Sequence, residues 1–206
     1  YFLLGSFASA VFVYGVALVF AGTGNFSIQG VADYLDGVIV LEPGVILLGL
    51  ALLVAGLTFK VTAAPFHNWA PDVYQGAPAG VVGFMAAIAK IGGFAGLVRI
   101  LVSAFPEMVE DWAPVVAAIA AVSMVVGSVL AIVQDDIRRL LAYSGVAHAG
   151  FVLTGVLSGG EGTAEIWFYL AVYAVQLVAA FAVVAAVSGP SGSRSALSDY
   201  AGLAQR

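Results

Sequence analysis

The chain has 206 residues, of which 62% are hydrophobic and only 9% are charged, with a formal net charge of −5. A soluble domain has about 25% charged residues, and a surface as apolar as this one is stable where lipid is the solvent. The composition therefore predicts a membrane protein without a nucleic-acid surface, and the absence of cysteine excludes thiolate-held iron–sulfur clusters, thiolate zinc sites and disulfides.

Six stretches are candidates for membrane spans, since a spanning helix needs about 20 predominantly apolar residues. Between them lie polar segments, among them a long loop from Thr23 to Glu42 and a tight turn that ends in Asp135 and Asp136, where a helix start is expected. We expect an all-α, polytopic helix bundle that forms a single membrane domain over residues 1–206. The predicted spans are approximately residues 1–22, 43–64, 77–104, 114–133, 137–157 and 163–187.

The ends and the loops indicate how the chain is placed in the membrane. It begins at Tyr1 inside an apolar run, without the features of a signal peptide, so we expect a central piece of a longer protein. Loops alternate sides, and lysine and arginine are enriched in cytoplasmic loops. One side is predicted to be cytoplasmic because it holds four arginines of loops or helix ends: Arg138, Arg139, Arg194 and Arg206.

Lys90 lies close to the midpoint of the third predicted span. A charged, unpaired lysine at that depth costs several kcal/mol, about 2.5–3.5 on insertion scales. Lys90 should therefore face protein or a water-filled cavity, and four glycines in the same helix would allow neighbours to approach closely. Its role is either proton transfer or a structural ion pair. The four glycines are Gly83, Gly92, Gly93 and Gly96.

Lys60 precedes a predicted helix break. Pro65 clashes with the carbonyl group of Val61 and disfavours helical geometry at Ala64, so the helix should end just after Lys60. The free carbonyl groups at a half-helix end attract a cation. Lys60 is either part of a proton path at mid-membrane or a lysine at a plain helix end that extends to the interface.

Two histidines are further candidates for proton transfer. His148 lies near the middle of the fifth span, and histidine titrates near physiological pH; the alternative is a neutral histidine that hydrogen-bonds between helices. His67 follows the break and is either a relay residue or part of an interfacial loop. Polar side chains of the fourth and sixth spans could extend a hydrated line: Ser123, Ser128, Tyr169, Tyr173 and Gln176.

No aspartate or glutamate lies deep in any predicted span, so the two lysines have no carboxylate partner at depth within this chain. Either they are largely neutral, or their partners lie in segments outside it. A haem protein that uses His67 and His148 as axial ligands is a third, non-transport hypothesis. It is disfavoured because the two histidines are expected at different depths and no other haem feature is present.

Long motifs resemble one family. The stretch from Phe59 to Pro78, read as FKVTAAPFHNWAPDVYQGAP, is similar to the signature of the antiporter-like, proton-translocating subunits of respiratory complex I, the bacterial NADH–quinone oxidoreductase. The continuation Val73–Pro78 resembles its N-subunit branch in particular. RRLLAYS at residues 138–144, AHAGF at 147–151, YFLLG at 1–5 and SDYAGL at 198–203 also resemble that branch.

The resemblance implies a larger inverted-repeat fold with broken helices in a multi-pass subunit of the bacterial inner membrane. It implies proton translocation along an axis containing Lys60, Lys90 and His148, coupled to NADH oxidation and quinone reduction elsewhere in the complex. NAD, FMN, iron–sulfur clusters and quinone are then expected in other subunits, and no cofactor or metal in this chain. The implied partners are other membrane-arm subunits, lipid, protons and water.

The family places a glutamate that pairs with the first lysine in the helix before Tyr1. Its second broken helix would follow Arg206. The alternative function is that of a subunit of a stand-alone cation/proton antiporter or of a membrane-bound hydrogenase.

Overall fold

The computed structural model describes residues 1–37, 43–189 and 194–203. Within these ranges the chain is built from helices and connecting turns, and the only β contact is an isolated bridge between Asp136 and Ala196. The predicted all-α fold is confirmed. The helices are α1 (Phe2–Thr23), α2 (Ile28–Gly37), α3 (Gly44–Lys60), α4 (Trp69–Gly76), α5 (Ala79–Val98), α6 (Val109–Ile132), α7 (Ile137–Leu157) and α8 (Thr163–Ser188).

Five helical stretches are long and apolar enough to cross a membrane, so the chain is a multi-pass membrane protein. They correspond to α1, to α5 with the π-helical segment Arg99–Ala104 that continues it, and to α6, α7 and α8 with the short turns before α6 and α8. Helix α3 is equally apolar but has only 17 residues, because it ends at the break. Glu42 and Arg206, which entered the loop and orientation predictions, lie outside the described residues.

The helices associate chiefly in three pairs, α1 with α3, α5 with α8, and α6 with α7. Small residues make the close approach possible. A Cβ added at Gly127 in α6 would overlap the backbone nitrogen of Ala147 in α7, and one at Gly15 in α1 would lie 2.9 Å from the carbonyl oxygen of Gly49 in α3. At these two crossings backbone therefore packs directly against backbone.

The glycines of α5 set how this helix faces its neighbours. Among the described residues, no atom lies within 4 Å of a Cβ added at Gly92, so no neighbour within these ranges packs on this glycine. Neighbours do pack on the other three, because an added Cβ would lie 2.8 Å from Phe181 at Gly83, 2.6 Å from Val61 at Gly93 and 3.0 Å from Leu57 at Gly96.

The segment predicted as a long loop after α1 contains helix α2. Val31 of α2 is buried, and the helix packs against the π-helical end of α5. On the outer face, Gln29 donates a hydrogen bond of 2.8 Å to Asp33. The prediction was wrong here because α2 is amphipathic and too short for a span, and a search for long apolar runs does not find such a helix.

Helix α6 begins at Val109 rather than near Pro114. Glu110 and Asp111 occupy its first turn, where carboxylates are stabilised by the positive end of the helix dipole. The indole nitrogen of Trp112 donates a hydrogen bond of 2.9 Å to the carbonyl oxygen of Phe105, which fixes the turn before the helix. Glu110 and Asp111, which lie between the predicted spans 77–104 and 114–133, therefore belong to the first turn of a helix.

Candidate functional site

The site is built around the break that follows Lys60. Helix α3 ends at Lys60, as predicted from Pro65, and the backbone of residues 61–68 is not α-helical before α4 begins at Trp69. Two side chains complete backbone hydrogen bonds that the break leaves open. The indole nitrogen of Trp69 donates to the carbonyl oxygen of Phe59 at 3.1 Å, and the hydroxyl of the buried Ser123 accepts from the backbone N–H of Ala64 at 2.9 Å.

Lys90 points into this break. The residue is only 2% exposed, and its Nζ donates to the hydroxyl of Thr62 at 2.9 Å and to the carbonyl oxygen of Val61 at 3.4 Å. It also donates to the carbonyl oxygen of Gly145 in α7. A protonated lysine has three N–H donors and no acceptor, so these three oxygens match an ammonium group.

The cation predicted at the half-helix end is therefore Lys90 rather than Lys60. All three acceptors of Lys90 are uncharged, and neither lysine forms an ion pair with a carboxylate of residues 1–37, 43–189 or 194–203. The structural ion pair that was weighed for Lys90 is not formed within these ranges. The site can hold an ammonium by neutral oxygens and the negative end of the α3 dipole.

Aromatic residues of α8 connect Lys90 to His148. The Nζ of Lys90 lies 5.7 Å from the ring centroid of Tyr173, within the range of a cation–π contact. The rings of Tyr173 and His148 are 4.4 Å apart, and Nδ1 of His148 shares a hydrogen bond of 2.6 Å with the hydroxyl of Tyr169. Lys90, Tyr173, His148 and Tyr169, together with Thr62, are called the lysine cluster below.

Lys60 lies in a different environment. It is exposed and lines an open groove of about 940 Å³ between α1, α3 and α5. An added Cβ at Gly93 would lie 3.5 Å from Cγ of Lys60, so the lysine stem lies over this glycine of α5. The groove is otherwise predominantly apolar, with residues such as Phe12 and Ile88 in its walls.

Some of the remaining candidate residues belong to the lysine cluster, and the others lie outside it. His67 is 7% exposed in the connection after the break, and its ring contacts that of Tyr143 in α7 at 6.2 Å. Tyr169 and Tyr173, two of the side chains predicted to extend a hydrated line, belong to the lysine cluster. Gln176 and Ser128 do not join it, because both are exposed on the outside of the bundle.

The end of the bundle near α4 is held by an arginine network. Arg138 is 5% exposed and donates to the carbonyl oxygens of Gln75 at 3.2 Å and Ala77 at 3.3 Å. Arg139 forms an ion pair of 2.7 Å with Asp72. These contacts connect α4 to the start of α7, at the end of the bundle where Arg138 and Arg139 lie.

The segment after α8 returns to this same end. The backbone N–H of Ile137 donates to the carbonyl oxygen of Ser195 at 2.8 Å, and that of Leu197 donates to Asp135 at 2.9 Å. Asp136 caps α7 by accepting from the backbone N–H groups of Arg138 and Arg139. Sequence reasoning predicted this helix start but missed the returning segment, whose pairing leaves no signal in hydropathy.

Known proteins resemble the chain along its whole length. The family described as "NADH:quinone oxidoreductase/Mrp antiporter, TM" matches residues 1–206. NADH-quinone oxidoreductase subunit N of Mycobacterium bovis is 47% identical over 100% of this chain and 39% of its own length. NADH-quinone oxidoreductase subunit N 3 of Streptomyces griseus is 46% identical with the same coverage. The chain thus spans about two fifths of the length of the curated relatives it matches.

Solved structures show the same fold. A chain of respiratory complex I from Thermus thermophilus is 41% identical, with a TM-score of 0.74 over 90% of this chain and 39% of that one. A chain of the Mrp complex from Dietzia is 23% identical, with a TM-score of 0.84 over 95% of this chain and 36% of that one; at this identity the likeness is one of fold alone. The chain belongs to the NADH:quinone oxidoreductase/Mrp antiporter transmembrane family.

Proposed function

We propose that the chain is the central part of a proton-translocating membrane-arm subunit of bacterial NADH:quinone oxidoreductase, the enzyme named in relatives that are 46–47% identical. The observation that supports this most strongly is a buried lysine whose acceptors are all uncharged oxygens at a helix break. Ionisable groups in membrane spans are functional by default. A lysine held in this way, beside a histidine, fits a group that gains and loses a proton.

Protonation of Lys90 determines how many of the three oxygens it satisfies. The ammonium has three N–H groups, whereas the neutral amine has two and a lone pair. Loss of the proton therefore leaves one of the acceptors at Val61, Thr62 or Gly145 without its donor. This exchange, together with His148 as the next titratable group, moves protons along the bundle through water.

Lys60 has a separate role at the groove between α1, α3 and α5. It is the lysine that a carboxylate from outside residues 1–206 would contact, and it passes protons toward Lys90. His67 is proposed only as a possible relay residue, because its ring contact is with Tyr143 and not with a member of the lysine cluster.

The redox reaction belongs to other subunits. NAD, FMN, iron–sulfur clusters and quinone bind elsewhere in the complex, and this chain contributes no redox group. Its partners are neighbouring membrane-arm subunits and the lipids of the bacterial inner membrane, with the end of the bundle that holds the arginine network on the cytoplasmic side.

Replacing Lys90 tests the proposal. In the full-length subunit within the assembled complex, Lys90→Met should strongly reduce NADH-driven proton pumping measured in proteoliposomes. The matched control is Arg99→Met, which removes a positive charge from the exposed far end of the same helical stretch and should leave pumping unchanged. Normal pumping by an assembled Lys90→Met complex would refute the role of Lys90.

The alternative is a stand-alone cation/proton antiporter subunit or a hydrogenase subunit. The Dietzia Mrp complex shares the fold, but the relatives of 46–47% identity are named for the quinone oxidoreductase. Sodium-linked transport by the purified complex without NADH would favour the alternative.

A further inference from the structure

A narrow groove runs between α3 and α6 on the outside of the bundle. It has a volume of about 360 Å³ and lies where the pair of α1 and α3 meets the pair of α6 and α7. Its lining is apolar except for Asp111, and it includes the buried side chains of Leu50, Val54 and Trp112. This feature is called the α3–α6 groove below.

The α3–α6 groove is about as long as one leaflet of a bilayer is thick. Helix α6 leads to α7, and the break leads to α4, at the end of the bundle that holds the arginine network, so α3 and α6 both begin at the opposite end. The lining residues extend over 47–55 in α3 and 111–119 in α6, about 12 Å in each helix at 1.5 Å per residue. Half of the hydrocarbon core of a bilayer is about 15 Å.

The helix break closes the inner end of the groove. Phe66, in the connection after the break, lines the groove and is 39% exposed. One turn beyond Ile119, the hydroxyl of Ser123 accepts from the backbone N–H of Ala64, so the backbone of the break contacts α6 at that level. The groove therefore ends near the middle of the membrane.

The groove is too narrow for a helix. A helix with a diameter of about 10 Å occupies about 900 Å³ over a length of about 12 Å. The groove that Lys60 lines, of about 940 Å³, has a comparable volume, whereas the α3–α6 groove has less than half of it. A lipid chain is thinner, and it is as apolar as the leucine and valine side chains that line the groove. The dimensions therefore favour an acyl chain over a further helix.

The outer end of the groove carries negative charge. Glu107, Glu110 and Asp111 are exposed in or just before the first turn of α6, and three carboxylates outweigh the charge of about +0.5 at a helix N-terminus. Within residues 1–37, 43–189 and 194–203 none of the three forms an ion pair. Of these acids, Asp111 is the one that lines the groove, so a cationic group at the mouth would be attracted to it.

We propose that the α3–α6 groove binds one acyl chain of a phospholipid whose headgroup carries a primary ammonium group. The chain fills the apolar part of the groove as far as the break, and the ammonium pairs with Asp111 at the membrane surface. The same carboxylates repel a phospholipid of net negative charge. This inference goes beyond the proton-translocating role and depends only on the placement of the helices in a membrane.

Photo-crosslinking in the whole complex tests the occupant. The native complex with the full-length subunit is reconstituted in phosphatidylcholine vesicles that contain a small fraction of phosphatidylethanolamine or phosphatidylglycerol with a diazirine in the acyl chain. Mass spectrometry then locates the labelled peptides. Phosphatidylethanolamine should label residues 47–55 and 111–119 about two- to fivefold more than phosphatidylglycerol does, which is the selectivity expected of one exposed ion pair.

Two substitutions separate the headgroup from the chain. Asp111→Asn should bring the labelling ratio of the two lipids close to one without lowering the labelling by phosphatidylglycerol. Ala51→Trp places an indole in the groove at an exposed lining residue and should reduce labelling by both lipids. The matched controls are Glu110→Gln, which removes an acid that does not line the groove, and Ala121→Trp, at an exposed position on another face of α6. Both controls should keep the labelling of the unmodified complex.

Three results would overturn the proposal. Equal labelling by the two lipids in the unmodified complex, or a selectivity that persists in Asp111→Asn, would show that Asp111 does not select the headgroup. Absence of label from both segments would show that protein covers the groove. None of these results involves Lys90, so the effect of Lys90→Met on pumping tests the proposed function separately.

Discussion

Thr62 links the buried lysine to the end of α3. Its backbone has φ 63, in the left-handed region that a β-branched residue rarely adopts. Its hydroxyl accepts from Lys90 at 2.9 Å and donates to the carbonyl oxygen of Val61 at 2.6 Å. The ammonium is therefore bonded both directly and through Thr62 to the carbonyl end of the broken helix.

Removing the Thr62 hydroxyl should weaken the site. Thr62→Val keeps the branched shape but deprives a buried ammonium of one acceptor, a loss of about 1–3 kcal/mol, and should reduce proton pumping and thermal stability of the assembled complex. Thr154→Val is the control, because that threonine is exposed and its hydroxyl donates to the carbonyl oxygen of Phe151 in its own helix. Equal behaviour of the two variants would contradict the role of Thr62.

For single residues, the sequence predicts which ones are unusual better than it predicts what they contact. Lys90 is recognisable because a mid-span lysine must be enclosed, and the end of α3 follows from the ring of Pro65. The conformation of Thr62 and the place of Tyr173 depend on how α3, α5, α7 and α8 are turned toward one another. A one-dimensional pattern of apolar residues holds no information about that arrangement.

The start of α7 depends on Asp136. Burial alone raises the pKa of this carboxyl group, but hydrogen bonds from Ser195, the Arg139 backbone, Gln75 and the Arg138 backbone outweigh it, so the pKa of Asp136 is lowered. A lowered pKa means that folding stabilises the carboxylate form of Asp136 relative to its protonated form. The stabilisation is therefore present at neutral pH and is lost as the pH falls through the lowered pKa.

Asp136→Ala should lower the free energy of unfolding by about 0.5–2 kcal/mol at pH 7, the value of a helix cap. The difference from the unmodified subunit should shrink at pH values below about 4, the pKa of an unfolded aspartate. Thermal unfolding of the purified subunit in detergent at several pH values measures it. Asp135→Ala is the control, since this neighbouring side chain is exposed and contributes its backbone carbonyl instead. A loss that does not depend on pH would contradict the assignment.

The close crossing of α6 and α7 at Gly127 leads to a prediction about packing. Gly127→Ala would press a methyl group against the backbone of Ala147, which cannot move as a side chain can, and should destabilise the subunit by about 1–3 kcal/mol. Gly80→Ala should be neutral or slightly stabilising, because its Cβ would meet no atom of the described residues within 4 Å and alanine favours a helix. Thermal unfolding of the two variants side by side gives the comparison, and equal midpoints would show that the crossing is looser than described.

Elements outside the long apolar runs were the least predictable. Helix α2 is recognised only by its short amphipathic pattern, and the early start of α6 depends on Glu110 and Asp111, which were interpreted as loop residues. Length and hydropathy detect helices that cross lipid. Helices and caps at the membrane surface are stabilised by tertiary packing and hydrogen bonds, which act over residues distant in the sequence.

At the scale of the whole molecule, the bundle encloses one lysine and leaves the other open. Lys90 is surrounded by the break, by α7 and by α8, all within the described chain. Lys60 faces a groove of about 940 Å³ that other parts of the longer protein can cover. The relatives are more than twice as long as this chain, so such parts exist in them.

We predict that a segment from outside residues 1–206 covers the groove and that a carboxylate of this segment pairs with Lys60. Lys60→Met should reduce proton pumping, and neutralising that carboxylate in the same subunit should add no further loss, because members of one pair are not additive. The measurement is a double-variant cycle on pumping in the assembled complex. Independent, additive losses would show that the two groups do not interact.

The glycines of α5 have a consequence for how the chain tolerates insertions. Gly83, Gly93 and Gly96 fix the rotation of this helix against its neighbours, and consecutive residues of a helix are turned by about 100° from one another. Ile91, the residue after Lys90, lies instead with Ala174 and Val175 of α8 in the wall of an open, apolar pocket. If Gly83 keeps its contact, one residue inserted between Gly83 and Lys90 would therefore move the lysine to the place of Ile91 and out of its ring of oxygens, while leaving the composition and hydropathy of the helix almost unchanged.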